Sequence, residues 1–253
     1  MSSSIPAITR DRFDAVLFDL DGVLTQTAKI HAACWKEMFD DYLKERSGRL
    51  AEPFRPFDIV TDYKLHVDGK PRVDGVRDFL ASREIELPEG ETDDPPGEET
   101  VRGLGNRKNE LVSAAIATRG VEAFAGSVDL VRRLRASGIR TAVVSSSHNC
   151  EPVLRAAGIV DLFELWVDGQ VAARLELAGK PAPDTFLEAA RQLGVEPKRC
   201  VVAEDAISGV QAGRAGAFGL VIGVHREGDP EALKNNGADV VVEDLNEVPT
   251  ARV

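Results

Sequence analysis

The chain has 253 residues, of which 43% are hydrophobic and 29% charged, with a formal charge of −11. It is long enough for one large or two small domains with a real core, and its composition is that of an ordinary soluble globular protein. The acidic balance argues against nucleic acid and anionic membrane surfaces as partners but not against a phosphorylated substrate, since a few local cations dominate within a Debye length, and no apolar run approaches the roughly 18–20 residues that span a bilayer.

Residues 1–6 carry neither a basic n-region nor an apolar h-region, so no secretory signal is expected. Residues 13–18 cluster Phe13, Ala15, Val16, Leu17 and Phe18 in the manner of a buried parallel strand. That strand runs into Asp19-Leu20-Asp21-Gly22. In extended chain, positions i and i+2 point to the same side, so Asp19 and Asp21 share one face or one local turn. Two carboxylates that close repel, and burying either one unpaired is costly. A cation is therefore expected beside them, and Mg²⁺ suits hard oxygen ligands. Gly22 permits the sharp exit that leaves both acids at the strand's C-terminal edge, where open α/β sheets bind ligands.

A helix is predicted over 27–46, with Ile30, Ala33, Cys34, Met38 and Tyr42 on one stripe. Pro53 and Pro56 break the chain, and Asp68-Gly69-Lys70-Pro71 marks a turn before a short helix over 73–82. Residues 87–100, rich in Pro, Gly and acids, read as an exposed, mobile loop, and a helix resumes over 107–118. From 127 onward helix and strand alternate. A helix around Leu130, Val131 and Leu134 stops at Gly138; strands follow at 139–144, 162–167, 200–203, 218–224 and 238–242, with helices at 150–157, 184–193 and 207–215.

This alternation predicts an α/β fold, a Rossmann-like doubly wound sheet with a parallel core. About a hundred largely helical residues separate the first strand from the second, longer than any ordinary crossover. An inserted α-helical cap domain over 28–121, against a discontinuous catalytic core of 1–27 and 122–253, explains this, with both crossings acting as hinges. Cys34, Cys150 and Cys200 are odd in number and widely spaced, which fits neither a disulfide framework nor a zinc site and favours a reducing cytoplasm.

Four short motifs fall at or just beyond predicted strand ends. They are Asp19 with Asp21; Ser145, whose hydroxyl and following backbone N–H groups can hold phosphate oxygens; Lys180 in Gly-Lys-Pro-Ala-Pro; and Glu204-Asp205. Singly, each has a plainer explanation as a turn, a surface lysine or an acidic helix start. Together they make one chemistry. Mg²⁺ takes Asp19, Asp205 and the carbonyl of Asp21, with Glu204 a direct or water-bridged ligand. Asp19 attacks phosphorus, Lys180 neutralises the phosphoryl oxygens, and Asp21 serves as general acid and base.

Residues 18–25 (FDLDGVLT), Val144-Ser145, 179–184 (GKPAPD) and 203–212 (AEDAISGVQA) resemble the four motifs of the haloacid dehalogenase superfamily of phosphotransferases, over nearly the whole core. Within it the chain looks most like the branch that interconverts β-D-glucose 1-phosphate and glucose 6-phosphate through the 1,6-bisphosphate. The resemblance implies an aspartyl-phosphate on Asp19, Mg²⁺ as cofactor and a small phosphorylated sugar as substrate. His31 and Trp35 stand in that branch's cap spacing, and Arg107-Lys108-Asn109 looks like its cap segment. By resemblance, His31 supports the sugar hydroxyl and the closed form, Lys108 contacts the sugar, and Arg72 binds the phosphate not undergoing transfer. Ser146, Ser147 and Asn149 resemble the core residues around that distal phosphate. The plainer alternatives are Trp35 as cap core, Arg72 as a loop ion pair and Lys108 as a solvated helix residue.

The chain departs from the branch in extra cap segments around 44–66 and 87–105 and in Gln26, where an Asp is common. His66, His148 and His225 have no paired ligands in sequence and read as ordinary loop or surface histidines. The nearest rival function is a sugar-phosphate phosphatase, the same first half-reaction with water as the second acceptor. A dehalogenase is disfavoured because that chemistry does not require Asp21. A non-catalytic binding module on this scaffold is disfavoured because no motif residue is lost. The expected assembly is a monomer or weak homodimer.

Overall fold

The computed structural model describes residues 5–226 and 230–251. In chain order, β1 (Ala15–Phe18) leads to three helices, α1 (Ala28–Leu50), α2 (Arg72–Ser82) and α3 (Val101–Arg119), with a π-helical turn at Tyr63–Val67. Then come α4 (Ala125–Ala136), β2 (Arg140–Val144), α5 (Cys150–Ala156), β3 (Leu165–Val167), α6 (Gly169–Arg174), α7 (Asp184–Leu193), β4 (Cys200–Glu204), α8 (Ile207–Ala215), β5 (Leu220–Val224), α9 (Pro230–Asn235) and β6 (Val240–Val242). The chain divides into two compact units, one of Met1–Gln26 with Val121–Val253 and one of Thr27–Gly120.

In the first unit all six strands pair in parallel, in the order β3-β2-β1-β4-β5-β6. β1, β4 and β5 are buried along their whole length, which is why they read as continuous apolar runs rather than alternating ones. Helix α7 presents Phe186, Ala189, Ala190 and Leu193 to the core that contains Ala15, Leu17, Val144 and Val202. It ends at Gly194 in the left-handed region, where glycine carries no steric penalty. The chain order reverses beside β1, and the register sets Phe18 level with Val143 on one side and Ala203 on the other. Asp19 therefore emerges at the C-terminal edge beside Glu204, the switch point at which such sheets bind ligands.

The second unit is helical around an aromatic core. Phe39 lies 4.1 Å from Phe79, 5.2 Å from Phe57 and 5.3 Å from Trp35, ring centre to ring centre. Helix α1 runs to Leu50, past its predicted end, and stops where Ala51 turns left-handed ahead of Pro53. Helix α3 starts at Val101 rather than 107, capped by Thr100 Oγ1, which accepts the Gly103 N–H at 2.9 Å. Gly103 weakens the helix by propensity, yet a Cβ there would stand 2.3 Å from the Glu98 carbonyl oxygen, so packing requires it.

The acidic segment 87–100 is irregular and largely exposed, but it is tied down rather than loose. Asp94 accepts from Thr100 Oγ1 at 2.6 Å, and Asn106 Nδ2 donates to the carbonyls of Thr92 and Asp94 at 3.1 and 2.9 Å. Helices α6 and α9 and the π-helical turn, all six residues or fewer, were not foreseen. Among the described residues no helix is long and apolar enough to cross a membrane.

Candidate active site

In the first unit, the ends of β1, β2 and β4 and the loop before α7 bring four of the predicted groups together. Asp19, one residue beyond β1, continues the ladder by donating its N–H to Ala203 at 2.9 Å, and it is 6% exposed. Lys180 reaches in from the loop before α7, with its Lys180–Pro181 bond cis, and is 2% exposed. Its ammonium donates to Asp19 Oδ1 at 2.5 Å, to the Val144 carbonyl at 3.3 Å and to Glu204 Oε1, and lies 5.0 Å from the centre of the Phe186 ring. Glu204, fully buried, accepts the Ala206 N–H on Oε2 at 3.1 Å.

Oxygens of Asp19, Glu204 and Asp205 lie within 4.8 Å of one another, the one such acidic group among the described residues. Asp21 is not one of the three. It sits half-buried in a turn that folds back on itself, with the Gly22 N–H on Thr25 O at 2.8 Å and Leu20 O accepting from Leu24 and Thr25, each at 3.0 Å. That agrees with no more than a carbonyl being asked of Asp21: two positions of turn, not of strand, separate it from Asp19, and what it can offer an ion is its carbonyl.

Electrostatics explain why these groups tolerate one another. Burial opposes charge on Lys180, but Asp19 and then Glu204 outweigh it and hold the ammonium above its ordinary range. Burial pushes the Asp19 carboxyl well up; Lys180 pulls it down, while Glu204 and Asp21 add to the rise. Three clustered carboxylates against one ammonium leave an excess of negative charge that a divalent cation would balance. Two glycines make room for that cluster. A Cβ on Gly22, at φ +88°, would stand 1.8 Å from Asp205 Oδ2, and one on Gly209 would stand 1.9 Å from the Glu204 carboxyl carbon. The hard-oxygen donor set and the space left for it fit a divalent cation.

Ser145, 1% exposed, follows β2, and its Oγ accepts the Ser147 N–H at 3.1 Å. Ser147 Oγ accepts the Asn149 N–H at 3.1 Å, so the 145–149 loop is wound into two successive hydroxyl-capped turns, with Asn149 at the start of α5. Ser146, Ser147 and Asn149 are half-buried in that loop. His148 lies in it too, its ring against Gly169, where a Cβ would stand 2.4 Å from the imidazole.

In the second unit, Lys108 is not the solvated residue of the plainer alternative. It is 5% exposed, 2.8 Å from His31 Nδ1 and 4.7 Å over the centre of the Trp35 ring. Since an ammonium only donates, His31 Nδ1 is the acceptor and its ring proton sits on Nε2. Trp35 is 3% exposed and stacked on Phe39, so it lies in the core of the second unit and is a platform for Lys108. Arg72 opens α2 rather than lying in a loop. Its Nη2 donates to Asn106 Oδ1 at 3.1 Å, and its buried Nε has no acceptor among the described residues. Burial and then Arg102 lower its hold on its proton, and no described carboxylate pairs with it, the setting of a cation that awaits an anion. Asn106 and the two cradle glycines were not singled out as site residues by sequence; an amide facing an arginine across two helices leaves no local signature.

The model of the haloacid dehalogenase-like hydrolase family matches residues 13–216. The chain is 50% identical over 241 residues to a β-phosphoglucomutase of Mycobacterium bovis, covering 94% of this chain and 92% of that protein. It is 31% identical over 239 residues to a β-phosphoglucomutase of Bacillus subtilis, covering 92% and 91%. Among solved structures, a β-phosphoglucomutase from Clostridium difficile superposes with a TM-score of 0.70 at 26% identity, over 93% of this chain and 92% of that one.

Proposed function

The chain belongs to the haloacid dehalogenase-like hydrolase family, and within it we propose that this enzyme interconverts β-D-glucose 1-phosphate and glucose 6-phosphate through the 1,6-bisphosphate. The observation that carries the sugar reading is the 50% identity, over 94% of the chain, to a protein of that activity. The geometry of the first unit supports the chemistry. Asp19 Oδ attacks phosphorus, the bond from phosphorus to the leaving sugar oxygen breaks, and Asp21 gives its proton to that oxygen. The same groups run in reverse toward the other hydroxyl, with Asp21 taking the proton. Lys180, pinned by Glu204 and Val144, keeps one cation against Asp19 throughout. The wound 145–149 loop offers Ser145, Ser146, Ser147 and Asn149 to phosphate oxygens.

Asp19, Asp205 and the Asp21 carbonyl would hold Mg²⁺, with Glu204 directly or through water, and the ion would neutralise charge on the phosphoryl oxygens. From the second unit, Arg72 is assigned to the phosphate that is not transferred, and Lys108 and His31 to the sugar. Three free, buried cysteines support a reducing, cytoplasmic setting.

Phosphorus NMR of the purified protein with Mg²⁺, β-glucose 1-phosphate and a trace of bisphosphate tests this. Glucose 6-phosphate is the expected product. Inorganic phosphate alone would replace the mutase with a sugar-phosphate phosphatase.

A further inference from the structure

Arg226 lies two residues beyond β5, in none of the four motifs, and its side chain is 19% exposed. Its Nε donates to the Gly22 carbonyl at 2.8 Å and its Nη2 to the Val23 carbonyl at 3.3 Å. Nη1 donates to Glu243 O at 3.0 Å, with Asp244 Oδ2 at 3.5 Å. The guanidinium carbon stands 3.6 Å from the centre of the Phe124 ring. The Phe124 N–H donates to Leu24 O and the Gln26 N–H to Glu122 O, each at 2.9 Å, with Thr25 and Ala123 bridged between them. One side chain thus joins the turn that carries Asp21 to the paired outgoing and returning segments of the chain.

Gly22 is held on three sides. Thr25 takes its N–H at 2.8 Å, Arg226 takes its carbonyl, and the Asp205 carboxylate fills the space a Cβ would occupy. The Thr25 contact orients the peptide between Asp21 and Gly22, Arg226 orients the next one, between Gly22 and Val23, and Asp21 takes its aim from this pair of linked peptides. Without Arg226 the turn still closes through Thr25 and Leu20, so what is lost is aim rather than fold.

We propose that Arg226 is a positioning residue for Asp21, fixing the Gly22 carbonyl and tying the turn to segments 24–26 and 122–124. This rests on the reading of Asp21 as general acid. In the step concerned, the Asp19 oxygen–phosphorus bond forms and the phosphorus–leaving-oxygen bond breaks with its electron pair staying on oxygen. The proton from the Asp21 carboxyl moves to that oxygen. Arginine is required because a guanidinium reaches two carbonyls in one plane and stacks on an aromatic ring, whereas an ammonium is a point charge. Arg226→Lys therefore removes the geometry and keeps the charge near Asp205 and Asp244.

The test is first-turnover release of alcohol, with enzyme in excess and Mg²⁺ saturating, from phosphate monoesters running from nitrophenyl to simple alkyl leaving groups. A nitrophenolate departs without a proton and an alkoxide does not, so the series isolates the acid. Arg226→Lys should lose about twofold at the nitrophenyl end and about thirtyfold or more at the alkyl end, with the Mg²⁺ titration midpoint within about twofold of the parent. Asp21→Asn sets the scale and should show the same growth along the series. If Asp21→Asn loses equally on every ester, the acid assignment itself fails. If it shows the growth while Arg226→Lys gives a flat loss or none, the positioning role is overturned and the Asp21 reading stands. Should Arg226→Lys fold poorly, Phe124→Leu removes the ring beneath the guanidinium and keeps every donor. It should show the same growth at about fivefold for the alkyl ester, and a flat profile overturns the proposal.

Discussion

The Lys180 ammonium lies 2.5 Å from Asp19 Oδ1, with the two side chains 1% and 9% exposed. The same nitrogen also donates to Glu204, whose side chain is 1% exposed. A buried cation shared between two carboxylates holds its proton tightly, and each carboxylate depends on it for tolerance of burial. The proposed nucleophile is thereby aimed before any substrate arrives, with Lys180 opposing the rise that burial imposes on its carboxyl, which is how a preorganised site avoids reorganising during the reaction.

Removing that cation should cost both activity and stability. Lys180→Met leaves two buried carboxylates facing one another, and breaking a buried pair in this way costs about 3–5 kcal/mol. Because Lys180 in the fold holds its proton beyond the ordinary 10.5, its contribution is complete at neutral pH and is lost only as pH climbs above that value. Urea unfolding in the presence of chelator should therefore give the same gap between parent and variant at pH 7 and pH 9. A gap that closes between those two values would mean that another group carries the compensation.

Asp19→Asn should abolish turnover, since an amide is a poor nucleophile and one anionic ligand is lost. Asp21→Asn should keep substrate and Mg²⁺ binding while slowing turnover by about 10²–10⁴, the usual size of a general acid–base contribution. Chelation should remove activity reversibly without unfolding the chain, because Mg²⁺ held by a few carboxylates and waters is exchangeable. Circular dichroism alongside the assay separates these outcomes, and a chelated enzyme that still turns over would contradict the role of Asp205.

Gly209→Ala sets two effects against each other. Within α8, alanine is better than glycine by about 0.8–1 kcal/mol in propensity. Its Cβ would nevertheless stand 2.0 Å from Glu204 Oε1, so the carboxylate must move and Lys180 with it. The expected variant is folded but weakened about tenfold or more in Mg²⁺ affinity by calorimetric titration, with turnover falling in step. Parental affinity would show that Glu204 has room to shift without consequence.

Much of this was legible because local and global signals agree in the first unit. The buried strands announce themselves as apolar runs, and Asp19, Ser145 and Glu204 each stand at or just beyond the end of one, so topology alone gathers them. Arg226 also follows a strand end, but it acts on backbone carbonyls and an aromatic face, which leave no pattern in composition or spacing. In the second unit, glycines at 103 and 105 concealed the first turns of α3, because propensity cannot see that Glu98 crowds position 103 and that Arg72 packs beside position 105. Trp35 was ambiguous for a related reason: an aromatic at helical spacing looks the same in sequence whether or not it stacks in a core, as Trp35 does on Phe39.

A mutase has to keep water from its phosphorylated aspartate. The acceptor must be a sugar hydroxyl, so groups that read the sugar and its second phosphate have to favour that acceptor over water by induced fit. Lys108 and His31, 2.8 Å apart on α3 and α1, are assigned to the first task, and Arg72 to the second. Asn106 occupies only one nitrogen of the Arg72 guanidinium, and its Nε is left to bind, which suits the two-donor grip on phosphate. Arg72→Lys keeps the charge and loses the fork. It should lower isomerisation by about tenfold or more while leaving hydrolysis of a small phosphate ester, which has no second phosphate, much less affected. His31→Ala removes the acceptor that holds the Lys108 ammonium over Trp35, and should likewise shift the ratio of isomerisation to hydrolysis toward hydrolysis. Both rates are read from one phosphorus NMR time course, as glucose 6-phosphate against inorganic phosphate. Equal slowing of the two reactions in both variants would mean that these residues do not choose between acceptors, and hydrolysis would then be the better account of the enzyme.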